Sequence, residues 1–316
     1  MKLDYLPMNA AALMDKVFEM YKATFKIQIA FSIIVGIVSA VLAFVLVIIF
    51  AGSIFATGAF EAPGSDDTAA VIIAFMFLAL MLPLILAWAY FSATGHIIIT
   101  KQAFYKEVPY LPFWVTFKAF GRVITAVLAQ IILSLPWIAI IVGIVFVLTN
   151  DVQNLYFLLM VEQPELLLIF IVVYSLLYVV YSNIFALAVP IAIFDGNLFF
   201  SSIKESFRLI KENFWRILGI RILWLIMIQL ISYSAQGFVL TVTALITAIL
   251  GTAADVEGVL MAVSATTSAQ FYLSLIIGVL VGPLDGIMTA AIYFNQKIKK
   301  DGLDISVRLN LLSRGI

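Results

Sequence analysis

Cysteine is absent from this chain, and histidine occurs once, at His96. Disulfides, thiolate metal sites and cysteine nucleophiles are therefore excluded, as is any site that needs two histidines. Charge is scarce as well. Only 11% of the 316 residues are Asp, Glu, Lys or Arg, against about a quarter in a soluble domain. The 18 basic and 18 acidic residues cancel, so no basic surface argues for nucleic acid. No phosphate-binding glycine loop and no G-x-S-x-G turn is present, and nothing implies a cofactor. Neither intramembrane protease chemistry is supported. An aspartyl pair needs two facing acids, and Asp285 is the one acid placed inside a span. His96 falls at the end of a span and reads as an interfacial histidine.

What the chain has instead is apolar length: 64% of it is hydrophobic. Runs at about 27–56, 69–99, 123–149, 166–194, 215–250 and 269–294 each reach or exceed the roughly 20 residues that cross a bilayer core. The first is too long for a signal peptide and reads as a retained anchor. The expected fold is an all-α integral membrane protein of six transmembrane helices. It forms a single polytopic domain over 1–316, with a cytoplasmic interfacial helix at 1–26, spans over 27–294 and a basic tail at 295–316. Pro83 lies mid-span in the second run, where neighbouring helices can satisfy the freed carbonyl.

The charges orient it. Every Lys and Arg lies in the N-terminal arm, the two even-numbered connections, the first turns of the fifth span or the tail. The three odd loops carry only acids, among them Glu61, Asp66, Asp151, Glu162, Asp255 and Glu257. Positive residues are retained inside, so both termini are expected in the cytoplasm of a multi-pass cell-membrane protein.

Amphipathic interfacial helices are expected before spans 1, 3 and 5. The clearest is 201–214. Ile203, Phe207, Ile210 and Phe214 make its apolar stripe, with Lys204, Arg208 and Lys211 opposite. Ser202 and Glu205 have capping-box spacing. The three basic residues are the expected lipid-headgroup contacts. At the chain start, Leu13, Val17, Tyr21 and Phe25 are the apolar stripe. Phe18, Lys22 and Phe25 align with Phe207, Lys211 and Phe214, which fits a threefold helical-hairpin repeat. Positive-inside hairpins that look alike without common ancestry fit equally.

Two stretches, FDGNLFFSSIKESFRLIKENFWRILGI and GPLDGIMTAAIYFNQKIKKDGLDISVRL, carry a resemblance. With the opening LMDKVFEMYKATF, they resemble the membrane domain of bacterial glycerophosphoryl diester phosphodiesterases and related stand-alone six-span proteins of unassigned function. The matching positions after the sixth span are Tyr293, Phe294, Lys297, Lys299, Gly302 and Asp304. Asn295 stands where that family often carries an acid, and Asp285 interrupts a run that is normally apolar. The resemblance implies a bacterial or archaeal membrane domain without chemistry of its own.

Arg221 and Asp285 are the intramembrane charges. They form a structural ion pair, or Arg221 snorkels, or they mark a coupling or substrate site. Gln130, Asn183 and Gln229 add polar groups that serve as helix-to-helix hydrogen bonds or as site lining. The expected function is a non-catalytic scaffold or regulator of membrane partners or lipids, and the alternative is a small-solute or lipid transporter with a buried polar site near Arg221 and Asp285. The expected partners are membrane lipids and other membrane proteins.

Overall fold

A computed structural model describes residues 8–56, 67–105, 107–108, 110–149, 164–251 and 256–302. These form eight α-helices and no strand among the described residues: α1 Ala10–Ala56, α2 Asp67–Phe104, α3 Phe113–Thr149, α4 Pro164–Asn183, α5 Ala188–Phe194, α6 Phe200–Ile210, α7 Phe214–Gly251 and α8 Val256–Asp301. Six helical stretches are long and apolar enough to cross a membrane, as expected. Their outward residues are large and apolar, as at Ile37, Phe44, Leu176 and Leu230, because a bilayer solvates such groups and water does not.

Two of the three interfacial helices are not separate elements. α1 runs unbroken for 47 residues, about 70 Å at 1.5 Å per residue, so the amphipathic start and the first span are one rod. α3 likewise begins at Phe113 and continues through the third span. No proline stands near Lys26 or Arg122 to stop either helix, and Gly121 is accommodated inside α3. Before the fifth span the boundary is real: α6 ends in a 3-10 turn, Lys211–Asn213, that leads into α7. The starts of α1, α3 and α6 thus differ in local geometry. Pro83, Pro136 and Pro283 all sit inside helices that continue past them.

The fourth span departs most from expectation. It is two helices, α4 and α5, joined by a tight turn over 184–187. In that turn Ile184, Phe185 and Ala186 donate to the carbonyls three residues back, at 3.1, 3.1 and 3.2 Å. Pro190 supplies the cause. It has no N–H for the Ala186 carbonyl, and its ring crowds that carbonyl, so an α-helix cannot run through.

The chain packs as two compact units. One comprises Met1–Ala10, Phe117–Arg221 and Thr289–Ile316, with Ile191, Leu209, Ile210 and Phe294 in its core; the other comprises Ala11–Thr116 and Ile222–Met288, with Phe31, Ile97 and Ile287.

In the second unit the N-terminal stripe is buried at Leu13 and Val17, with Met20 beside them, whereas Tyr21 is half-buried and Phe25 is exposed. The buried line continues through Thr24, Gln28 and Phe31, which drifts away from a strict i+4 pattern as 3.6-residue periodicity requires. Phe31 is fully buried and packs beside Phe91, Phe113 and His96, with ring centroids 6.4, 6.2 and 5.3 Å away. Gly95 faces it so closely that a Cβ there would lie 2.1 Å from the Phe31 Cζ.

Candidate functional site

The polar residues of the first unit converge on the break between α4 and α5. Ser206, buried on α6, donates to the Ile184 carbonyl at 2.7 Å and accepts the Leu187 N–H at 3.2 Å. One hydroxyl so replaces two bonds that a continuous helix would have made. Gln130 of α3 donates to the Phe185 carbonyl at 3.4 Å. Asn183, the last residue of α4, donates to the Phe214 carbonyl at 3.4 Å and accepts from the Arg221 guanidinium at 3.3 Å. Irregular backbone at membrane depth persists only where protein or trapped water satisfies it, and here the side chains of Gln130 on α3 and Ser206 on α6 do so. Gln130, Asn183 and Arg221 were expected to be polar groups inside the membrane; their gathering at a helix break was not.

Arg221 and Asp285 belong to different units. Arg221 is half-buried and bonded to Asn183; Asp285 is exposed on α8, and Gln229 is exposed on α7.

α6 covers the break from outside. Its start is not a capping box. The residue before the helix is Phe199, in the left-handed region at φ 48°, and Ser202 donates back to the Phe199 carbonyl at 2.7 Å. Glu205 turns to Arg208 instead of to the helix start, because a bidentate charge-assisted pair, at 2.6 and 2.8 Å, outweighs a single bond to a backbone N–H. The expected apolar stripe also splits. Ile203 and Ile210 point inward with Ser202, Ser206 and Leu209, while Phe207 is 49% exposed. Ile210 therefore packs against protein and not the acyl boundary. The outward face of α6 carries Lys204, Phe207 and Arg208, at i, i+3 and i+4; exposed Lys211 follows in the 3-10 turn and exposed Trp215 in the first turn of α7.

A cluster of charges clamps α6. Lys297 of α8 lies 3.0 Å from Asp195, 3.0 Å from Asp301 and 3.6 Å from Glu205. Arg208 reaches Asp301 at 3.0 Å as well as Glu205. Tyr293 donates to Asp195 at 2.7 Å, and Lys300 pairs with Glu212 at 3.1 Å. Phe194 stacks on Phe294 at 5.2 Å between centroids. The turn after α5, the whole of α6 and the end of α8 are thereby tied together. Gly196, at φ 72°, lets that turn form just beyond α5 without a Cβ penalty.

The two stretches that carry the family resemblance thus meet in space. Asn295 has its own explanation. It accepts the Met8 N–H at 2.9 Å and donates to the Met8 carbonyl at 3.3 Å, which an ionised acid cannot do.

Lys297 is the hub, so Lys297→Met should lower stability by about 1–2 kcal/mol, a figure held down because its acid partners keep partial contact with solvent. Thermal melts in detergent at rising ionic strength check this. The difference between variant and parent should shrink with salt, as screening removes the pairs from both.

His96, in the second unit, is buried within the protein. It is 3% exposed. Its Nδ1–H donates to the Gln28 Oε1 at 2.5 Å, and the Ser32 hydroxyl faces its Nε2 at 3.4 Å. Gln28 and Thr100 both donate to the His96 carbonyl, at 3.4 and 2.8 Å. Gly286 packs on the His96 Cβ; a Cβ at that position would come within 2.8 Å. The network joins α1 to α2 and satisfies both ring nitrogens, which is the work of a structural histidine. The sequence held the signal in Gln28 and Ser32, one turn apart on α1, but nothing local tied them to His96.

Among the described residues no group of three or more His, Asp and Glu side chains is placed to hold a metal ion. No protein-family model, curated protein or solved structure matches this chain.

Proposed function

We propose that the chain is a non-catalytic membrane scaffold or regulator. In this reading α6 is held against the anionic headgroups of the cytoplasmic leaflet, in a bacterial or archaeal cell membrane with both termini inside. The observation that carries the reading is the outward face of α6. Lys204 and Arg208 stand there beside the exposed ring of Phe207, and exposed Lys211 and Trp215, the latter 75% exposed, follow in the 3-10 turn and the first turn of α7. Aromatic rings suit the headgroup boundary, and each cation near an anionic leaflet contributes about 1 kcal/mol. The carboxylates of Glu205 and Asp301 share Arg208, so Lys204 and Lys211 are the stronger headgroup ligands. Converting Lys204 and Lys211 to Gln should cut the anionic lipid retained on purification, with neutral lipid unaffected, as read by mass spectrometry of extracted lipid. Unchanged retention overturns the reading.

A second reading, transport of a small solute or lipid, draws on the broken fourth span. Transporters place substrates at such breaks, and Arg221 and Asp285 would be the intramembrane charges involved. Asn183→Cys separates the two readings. Labelling by a water-soluble thiol reagent supports a solute path, and protection supports the scaffold.

A further inference from the structure

The connection between α2 and α3 has the opposite composition to an ordinary loop. Val108 is 85% exposed, Tyr110 and Leu111 are also turned outward, and Trp114, in the first turn of α3, is 70% exposed. These residues are not loosely held. Gln102, buried at the end of α2, accepts the Tyr110 N–H through its Oε1 at 3.1 Å and the Glu107 N–H through its carbonyl at 2.9 Å. Thr116 donates to the Pro112 carbonyl at 2.7 Å. Pro109 and Pro112 have no N–H to satisfy. The segment thus presents apolar side chains outward on a backbone several of whose donors are bonded or missing.

We infer that this connection is a wedge seated in the headgroup–acyl boundary of the leaflet on the basic side of the protein. This goes beyond the α6 reading, since it concerns a different element and rests on apolar insertion, not charge. Three observations favour lipid over a protein partner. The connection joins the ends of two candidate spans, at Phe104 and Phe113, so it lies at membrane-surface height. It belongs to the even-numbered, lysine-bearing connections, with Lys101 beside it, and cations accompany anionic headgroups. The bonded N–H groups of Glu107 and Tyr110, and the two prolines that have none, lower the cost of entry into a medium poor in hydrogen-bond partners. Tyr and Trp side chains, each with one apolar body and one polar atom, match that boundary.

The native chain has no cysteine, so a single introduced thiol reports one place. Val108→Cys and Trp114→Cys, each carrying a nitroxide, are reconstituted in vesicles of neutral phosphatidylcholine. The expected result is that dissolved oxygen relaxes both labels more than a water-soluble nickel chelate does. Nickel dominance would place the wedge in water, and exclusion of both reagents would mean protein covers it, a second copy included. Either result overturns the inference. A second measurement leaves these positions unlabelled: Trp114→Phe should remove part of the fluorescence quenching produced by brominated phosphatidylcholine, and an unchanged quenching curve counts against the wedge. Because the vesicles carry no net charge, failure of the α6 reading leaves these outcomes untouched.

Discussion

Gly95→Ala should lower stability by about 1–3 kcal/mol, the cost of forcing extra volume into a filled core. The added methyl would lie 2.1 Å from the Phe31 Cζ and 2.2 Å from its Cε1, well inside contact distance. Phe31 has nowhere to go. It is fully buried, with Phe91, Phe113 and His96 around it. A methyl there must push α1 from α2, which also stretches the Gln28–His96 bond. Glycine at such a contact does for a membrane helix pair what small residues do generally: it brings backbones close enough for dispersion to act. The check is a detergent thermal melt beside Gly278→Ala, where the new methyl meets nothing within 4 Å and a better helix former should be neutral or mildly stabilising. Pairing Gly95→Ala with Phe31→Leu should recover part of the loss, because the smaller side chain vacates the clash. Equal melting of the parent and Gly95→Ala proteins would mean that these helices are not packed at that contact.

Ser206→Ala should cost about 2–6 kcal/mol, since a buried N–H and a carbonyl each lose their partner at about 1–3 kcal/mol. Those groups belong to Leu187 and Ile184 on either side of the break. Ser206→Thr keeps the hydroxyl and should retain most of the stability. Amide hydrogen exchange discriminates further. The Leu187 N–H should exchange faster in Ser206→Ala, with little change at helical amides far from the break. Unaltered exchange at Leu187 would show that the hydroxyl does not hold the turn. The effect links two places that are separate in sequence, a surface helix and an intramembrane break.

That link bears on how α6 works. Its outer face meets solvent or headgroups, while its inner face supplies Ser206 to the fourth span. The charged clamp of Asp195, Glu205, Arg208, Lys297 and Asp301 holds both faces in register. Under the proposed function, an anionic headgroup drawn to Arg208 would compete with Glu205 and Asp301 for the same guanidinium.

The residues alone determined the membrane class and the six long apolar helices, because length and hydropathy are local sums that any packing must respect. They also marked the 201–214 helix and the polar groups at Gln130, Asn183 and Arg221. Tertiary structure decided which way those groups face. Phe207 turned outward and Ile210 inward because Ser206, Leu209 and Ile210 had a partner surface to cover, and a stripe drawn from periodicity cannot know where that surface lies. The capping box was lost to Arg208, and His96 was buried, through partners that sequence spacing does not reveal. The break in the fourth span was half legible, in Pro190. The rest depended on Ser206, 19 residues from Leu187 along the chain, arriving to satisfy the backbone that the proline had freed.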